Sequence, residues 1–106
     1  MTYVSYPKLK PYRNEAYRRK VASLPCVNCG ISGFSQCAHA NGHLFGKGGA
    51  RKADDLQSFP LCCTRPMQVG CHALFDQYKL IPADELESTV RRWIHWTHTA
   101  IANQRA

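Results

Sequence analysis

The stretch Gln36–Asp76 reads QCAHANGHLFGKGGARKADDLQSFPLCCTRPMQVGCHALFD. Its first residues, FSQCAHA over 34–40, alternate as a short strand does, with Ser35, Cys37 and His39 on one face. Asn41-Gly42 then marks a turn, and four glycines fall among residues 42–49, beside the basic Lys47, Arg51 and Lys52. Ala53-Asp54-Asp55-Leu56 leads into a second strand at about 57–62. Beyond the looped Pro66, Met67 and Gly70, Cys71 opens a helix. In that helix His72, Phe75, Asp76 and Lys79 are spaced i, i+3, i+4, i+7, with Ala73, Leu74 and Tyr78 elsewhere. One turn separates His72 from Asp76, so the two can bind one cation. A surface His–Asp pair is the plainer reading of that spacing.

Upstream, CVNCGISG over 26–33 has the form of a zinc knuckle. Two thiolates three residues apart reach one metal, and Gly30 permits the turn that aims backbone amides at sulfur. A redox pair is the rival, but no βαβ pattern surrounds these cysteines. A second pair at 62–71 favours zinc. Cys63 competes with Cys62, and delivery by the strand favours Cys62, with Cys63 pointing away. The ligand set is therefore Cys26, Cys29, Cys62 and Cys71, with Cys37 left as a small buried hydrophobe or an irregular ligand.

Further out lie the two termini. Residues 1–12 read as an extended arm. Asn14 caps a helix over roughly 15–23 that Pro25 stops, with Tyr17, Val21 and Leu24 on its inner face. Lys8, Lys10, Arg13, Arg18, Arg19 and Lys20 face Glu15 alone as an acid, forming either a solvated face or a set of phosphate contacts. At the other end Pro82-Ala83-Asp84-Glu85 opens a last helix. Its stripe of Leu86, Val90, Trp93, Ile94, Thr97 and Ile101 is scaffold, and His95 and His98 are read as non-catalytic.

The 106 residues read as one domain: arm and short helix 1–23, knuckle and core 24–80, last helix 82–104. Fourteen Lys and Arg against seven acids give +7, which favours an anionic partner, DNA or possibly RNA. Six cysteines without a secretory signal point to a reducing cytoplasm, and no apolar run is long enough to span a membrane. The Gly-rich loop is not a Walker loop, since no Gly-Lys-Ser/Thr follows at the right spacing.

In order, Cys26-x-x-Cys29, Ala38-His39, Gly46–Gly49, Asp55-Leu56, Leu61-Cys62 and Cys71-His72 resemble the HNH endonucleases, the ββα-metal finger superfamily. The likeness is greatest to small phage and prophage nucleases of the YbcO and Ref type, and it covers about residues 24–80. It implies an α+β fold, a zinc-stabilised ββα core flanked by N- and C-terminal helices. It implies hydrolysis of phosphodiester bonds in DNA with weak sequence specificity. The catalytic residues would be His39 as base, Asp55 orienting it or pinning the loop, and His72. His72 and Asp76 would hold a catalytic divalent ion, Mg²⁺ or another, while the four cysteines hold structural zinc. A recombination or phage protein partner is implied as well; oligomeric state is left open. Three positions depart from the pattern. Ala38 stands where a metal ligand is usual, leaving Cys37, His43, Asp54 or Asp55 to complete the shell. The central Asn is Asp55, and the cysteine pair before the helix is stretched to eight intervening residues. The alternatives are a zinc finger that binds nucleic acid without cleaving it and a zinc ribbon that recruits a protein.

Overall fold

The computed structural model describes residues 13–40 and 55–104. The N-terminal arm, the Gly-rich loop with Lys47, Arg51 and Lys52, and the candidates His43 and Asp54 lie outside the described residues.

Helix α1, Glu15–Ala22, starts where Asn14 leaves the extended region and its side chain accepts the Tyr17 N–H at 3.0 Å. That cap satisfies a backbone donor with no helical partner. Glu15 in the first turn and Arg19 and Lys20 in the last suit the helix dipole. Val21 and Leu24 are buried on its inner side.

Strand β1, Ser35–His39, pairs antiparallel with β2, Ser58–Cys62, so that Ala38 faces Phe59 and Gln36 faces Leu61. Backbone bonds from Ala40 to Gln57 and from Cys63 to Phe34 extend the ladder at both ends. Pro60 lies mid-strand without harm because its outward carbonyl accepts the Val27 N–H at 2.9 Å, tying the knuckle to the strand's far edge. Every residue of β2 is buried, so both faces of this small sheet are covered.

On the Ala38–Phe59 face lie α2, Cys71–Asp76, and α3, Leu86–Asn103, the latter preceded by a 3₁₀ turn at Ala83–Glu85. Phe59 meets Phe75 edge-on at 5.4 Å between centroids and Trp93 at the same distance. Val90, Trp93 and Thr97 are buried, and Leu86 and Ile94 pack against the cluster, as the stripe on the last helix predicts. On the opposite face α1 packs against both strands. The order is thus helix, hairpin, short helix, long helix: a small α+β fold. Helix α2 ends earlier than the sequence spacing suggests, and Phe75 turns into the core while His72 and Asp76 stay outside it. Among the described residues no helix is long and apolar enough to cross a membrane.

Candidate functional site

The four sulfurs of Cys26, Cys29, Cys62 and Cys71 lie within 4.8 Å of one another. Cys29 and Cys62 are 3.8 Å apart, far beyond a disulfide bond. A tetrahedral zinc with Zn–S bonds of ~2.3 Å has sulfur–sulfur edges of about 3.8 Å, so the set fits that ion. The cluster is assembled from three places: the knuckle, the end of β2 and the first residue of α2. Gly30, at φ +85°, turns the knuckle so that the Cys29 N–H points to Cys26 Sγ at 3.4 Å. The Cys71 N–H points to Cys62 Sγ at 3.3 Å, and Asn28 Nδ2 points to Cys71 Sγ at 3.4 Å. Donors aimed at sulfur stabilise thiolate, the form that binds metal.

Electrostatics within the cluster are divided. Burial raises the Cys62 thiol, but the Cys71 N–H, Arg65 and the neighbouring thiols outweigh it and hold Cys62 down at about 6. Burial and the thiols of Cys62 and Cys26, against an opposing Asn28 contact, push Cys71 up to about 12. Four thiols this close do not all ionise against one another without a cation. The described residues could therefore hold a metal ion such as zinc. Cys62 rather than Cys63 belongs to the cluster, while Cys63 carries the ladder bond to Phe34.

A second centre forms around Asp55, whose side chain is fully buried. Its Oδ1 lies 2.8 Å from His39 Nε2 and accepts from Arg13 Nη1 at 3.2 Å. Its Oδ2 accepts from the Asn14 backbone N–H and from Arg18 Nη1, both at 2.7 Å. Burial alone would raise this carboxyl; the Asn14 N–H, His39 and Arg18 outweigh it and hold Asp55 at about 2. With both oxygens so engaged, Asp55 serves as an acceptor that positions other groups. Because an ionised carboxylate only accepts, His39 donates through Nε2, leaving Nδ1 as the ring's remaining nitrogen.

The third group is His72 with Asp76, whose Nε2 and Oδ2 are 3.7 Å apart. Gln36 Oε1 lies 2.8 Å from His72 Nδ1. Strand alternation puts Gln36 on the face of β1 opposite His39, three residues and about 10 Å along the strand. Asp55 joins His39, and Asp76 joins His72, but no hydrogen bond links the two pairs among the described residues. Ala38 is fully buried in the core and offers no ligand. Cys37 is half-buried, with Ser58, Asp55 and Arg18 as its neighbours.

Several residues at these centres carry no sequence mark of their role. Arg13 and Arg18 reach Asp55 from about forty positions away, and no local pattern announces that meeting. Arg65, which stacks over Phe34 at 4.9 Å and donates to the Cys63 carbonyl, is equally silent. His98 contacts the Leu56 carbonyl at 2.7 Å and so ties α3 to the residue after Asp55. Asn28 could have been found, since it sits between the two knuckle cysteines.

The DUF968 family, described as a protein of unknown function, matches residues 1–77. The chain belongs to the DUF968 family. The DUF968 match takes in α1, the hairpin, all four clustered cysteines, Asp55, and the His72–Asp76 pair; α3 follows it. No curated protein and no solved structure matches the chain.

Proposed function

We propose that this DUF968 protein is a metal-dependent endonuclease of the HNH type, hydrolysing phosphodiester bonds in DNA. The observation that carries the reading is the His39–Asp55 contact at the end of the first strand of a hairpin that runs into a cysteine-anchored helix. A structural zinc requires the cysteines but not a histidine fixed on a buried carboxylate.

Hydrolysis needs water made nucleophilic, charge stabilised on the phosphate, and a leaving oxygen neutralised. His39 removes the proton from water through Nδ1, as a neutral imidazole does near pH 7. Asp55 fixes its ring and tautomer by accepting the Nε2 proton. His72 and Asp76 are the residues that would hold a catalytic divalent ion, which supplies Lewis-acid stabilisation of the phosphate charge. Two protein donors suit an ion that keeps most of its ligands as water and phosphate. The four cysteines hold a separate structural zinc, closed to substrate.

The test is supercoiled plasmid incubated with the zinc-loaded protein and each of several divalent metals. His39→Ala, His72→Ala and wild type are compared after zinc content and folding are verified. Metal-dependent nicking lost in both variants supports the assignment. Nicking that survives His39→Ala refutes His39 as base.

A second reading, a finger that binds DNA without cutting it, is favoured by the buried Ala38 and by the separation of the two histidine pairs. It predicts no nicking with any metal alongside salt-sensitive DNA binding.

A further inference from the structure

Eight residues separate Cys62 from Cys71, whereas two suffice between Cys26 and Cys29. The longer connection is folded into a turn of its own. Arg65 and Gln68 exchange both backbone hydrogen bonds at 2.9 Å, closing a turn over Pro66 and Met67. Met67 takes φ +65° there, a left-handed conformation that costs energy for any residue but glycine. Thr64 Oγ1 accepts the Gly70 N–H at 3.0 Å and so draws the returning limb back beside Cys71.

What this turn delivers is Arg65. Thr64 and residues 66–69 are exposed, whereas Arg65 is half-buried. Its Nη1 donates to the Cys63 carbonyl at 2.7 Å, and its guanidinium carbon lies 4.9 Å from the centroid of the Phe34 ring. Held on those two sides, the guanidinium acts on the thiols of Cys62, Cys63 and Cys29. Other donors reach the sulfurs too: the Cys29 N–H to Cys26, the Cys71 N–H to Cys62 and Asn28 Nδ2 to Cys71. All three of those donors are neutral. Four thiolates exceed the charge of one divalent ion by two, and a fixed cation beside them lowers the cost of bringing them together.

We propose that Arg65 is a positioning residue of the four-cysteine metal centre, a fixed counter-charge that favours the zinc-bound cluster over the metal-free one. The turn between Cys62 and Cys71 is then the device that places this charge, and Phe34 is its support. The inference rests on the reading of the four cysteines as a zinc site and is independent of nuclease activity.

The decisive experiment measures zinc affinity of the full chain at neutral pH by competition with a chromophoric chelator. Arg65→Gln is expected to weaken zinc by about tenfold, the usual scale for loss of a group behind the metal ligands. Arg65→Lys keeps the charge but not the planar fork, and should stay within about threefold of wild type. Arg92→Gln removes the same charge from α3 and should also stay within about threefold. Equal losses in Arg65→Gln and Arg65→Lys would overturn the counter-charge and leave Arg65 a packing residue. An unchanged affinity in Arg65→Gln would overturn any role at the metal.

Cobalt(II) in place of zinc gives a second readout that packing alone would not move. Without the cation the sulfurs hold their electrons less tightly. The thiolate-to-cobalt charge-transfer band should therefore move to longer wavelength in Arg65→Gln and return toward wild type in Arg65→Lys. A band that stays in place overturns the proposal. Where Arg65→Gln fails to fold, Arg65→Lys decides: wild-type affinity upholds the charge, and a tenfold loss overturns it. A wild-type chain that takes up no zinc overturns the zinc site and the counter-charge together. The nuclease reading fails separately, since a protein that never nicks plasmid yet shows the Arg65-specific loss keeps the counter-charge and loses the enzyme.

Discussion

Asp55 links backbone, charge and chemistry at one residue. Its carboxyl is held at about 2 in the fold against ~3.9 in an unfolded chain, a difference of roughly 2–3 kcal/mol. Because the folded value is the lower one, that stability is fully present above about pH 4 and disappears as pH falls toward 2. Urea unfolding of Asp55→Asn at pH 7 should therefore show a loss of at least about 2 kcal/mol, with the same difference from wild type at pH 5. A difference present at pH 7 but gone at pH 5 would mean that the carboxyl titrates between those values and is not held low in the fold. Cysteine identity gives a second test at this scale. Metal analysis should find zinc lost or severely weakened in Cys62→Ser and retained in Cys63→Ser, since only Cys62 sits in the sulfur cluster. The reverse result would reassign the ligand.

Among the elements, the turn into α2 has the least room for change. A Cβ added at Gly70 would lie 2.3 Å from the carbonyl carbon of Cys63 and 2.5 Å from the carbonyl oxygens of Cys62 and Cys63. These are backbone atoms, so relief requires moving the chain that delivers Cys62 and the Cys71 N–H. Gly70→Ala is expected to cost at least about 2 kcal/mol and to weaken zinc affinity. Gly30→Ala meets nothing within 4 Å but must keep φ +85°, so its cost should be the conformational one alone, roughly 1–2 kcal/mol. Thermal unfolding with and without excess zinc separates the two, because only Gly70→Ala should show a zinc-dependent deficit. Helix α1 differs from α2 in how it is attached. Its first turn docks through the Asn14 N–H and Arg18 onto Asp55, so the helix and the hairpin share a polar anchor in addition to Val21.

For the whole molecule, the four-cysteine cluster and the aromatic core do different parts of the work. Phe59, Phe75 and Trp93 join β2 to α2 and α3, while the cysteines join the knuckle, β2 and the start of α2. A two-stranded sheet is marginal alone, and a chain this small has little apolar surface to bury. Removing zinc with a chelator at neutral pH should abolish or broaden the cooperative unfolding transition followed by near-UV circular dichroism of the tryptophans, and returning zinc should restore it. An unchanged transition in metal-free protein would show that the aromatic core suffices.

Local pattern was enough for the elements and for the cysteines. Asn14 before a helix, alternation around Cys37 and His39, the apolar run Phe59-Pro60-Leu61 and the stripe on α3 are short-range signals. Backbone geometry enforces such signals within a few residues, so they were legible. Cys26-x-x-Cys29 is likewise a local spacing, and strand alternation was sufficient to choose Cys62 over Cys63. The Asp55 contact to His39 was readable only through the family resemblance. What no pattern contains is the meeting of Arg13 and Arg18 with Asp55, or the assignment of His39 and His72 to opposite faces of β1. Those depend on which side of the hairpin each helix packs, and that choice follows from burying Phe59 and Leu61 under α2 and α3. The sequence by itself determined the elements and the four cysteines that could hold a metal; tertiary packing alone decided which charges converge, because convergence is set by long-range burial rather than by spacing along the chain.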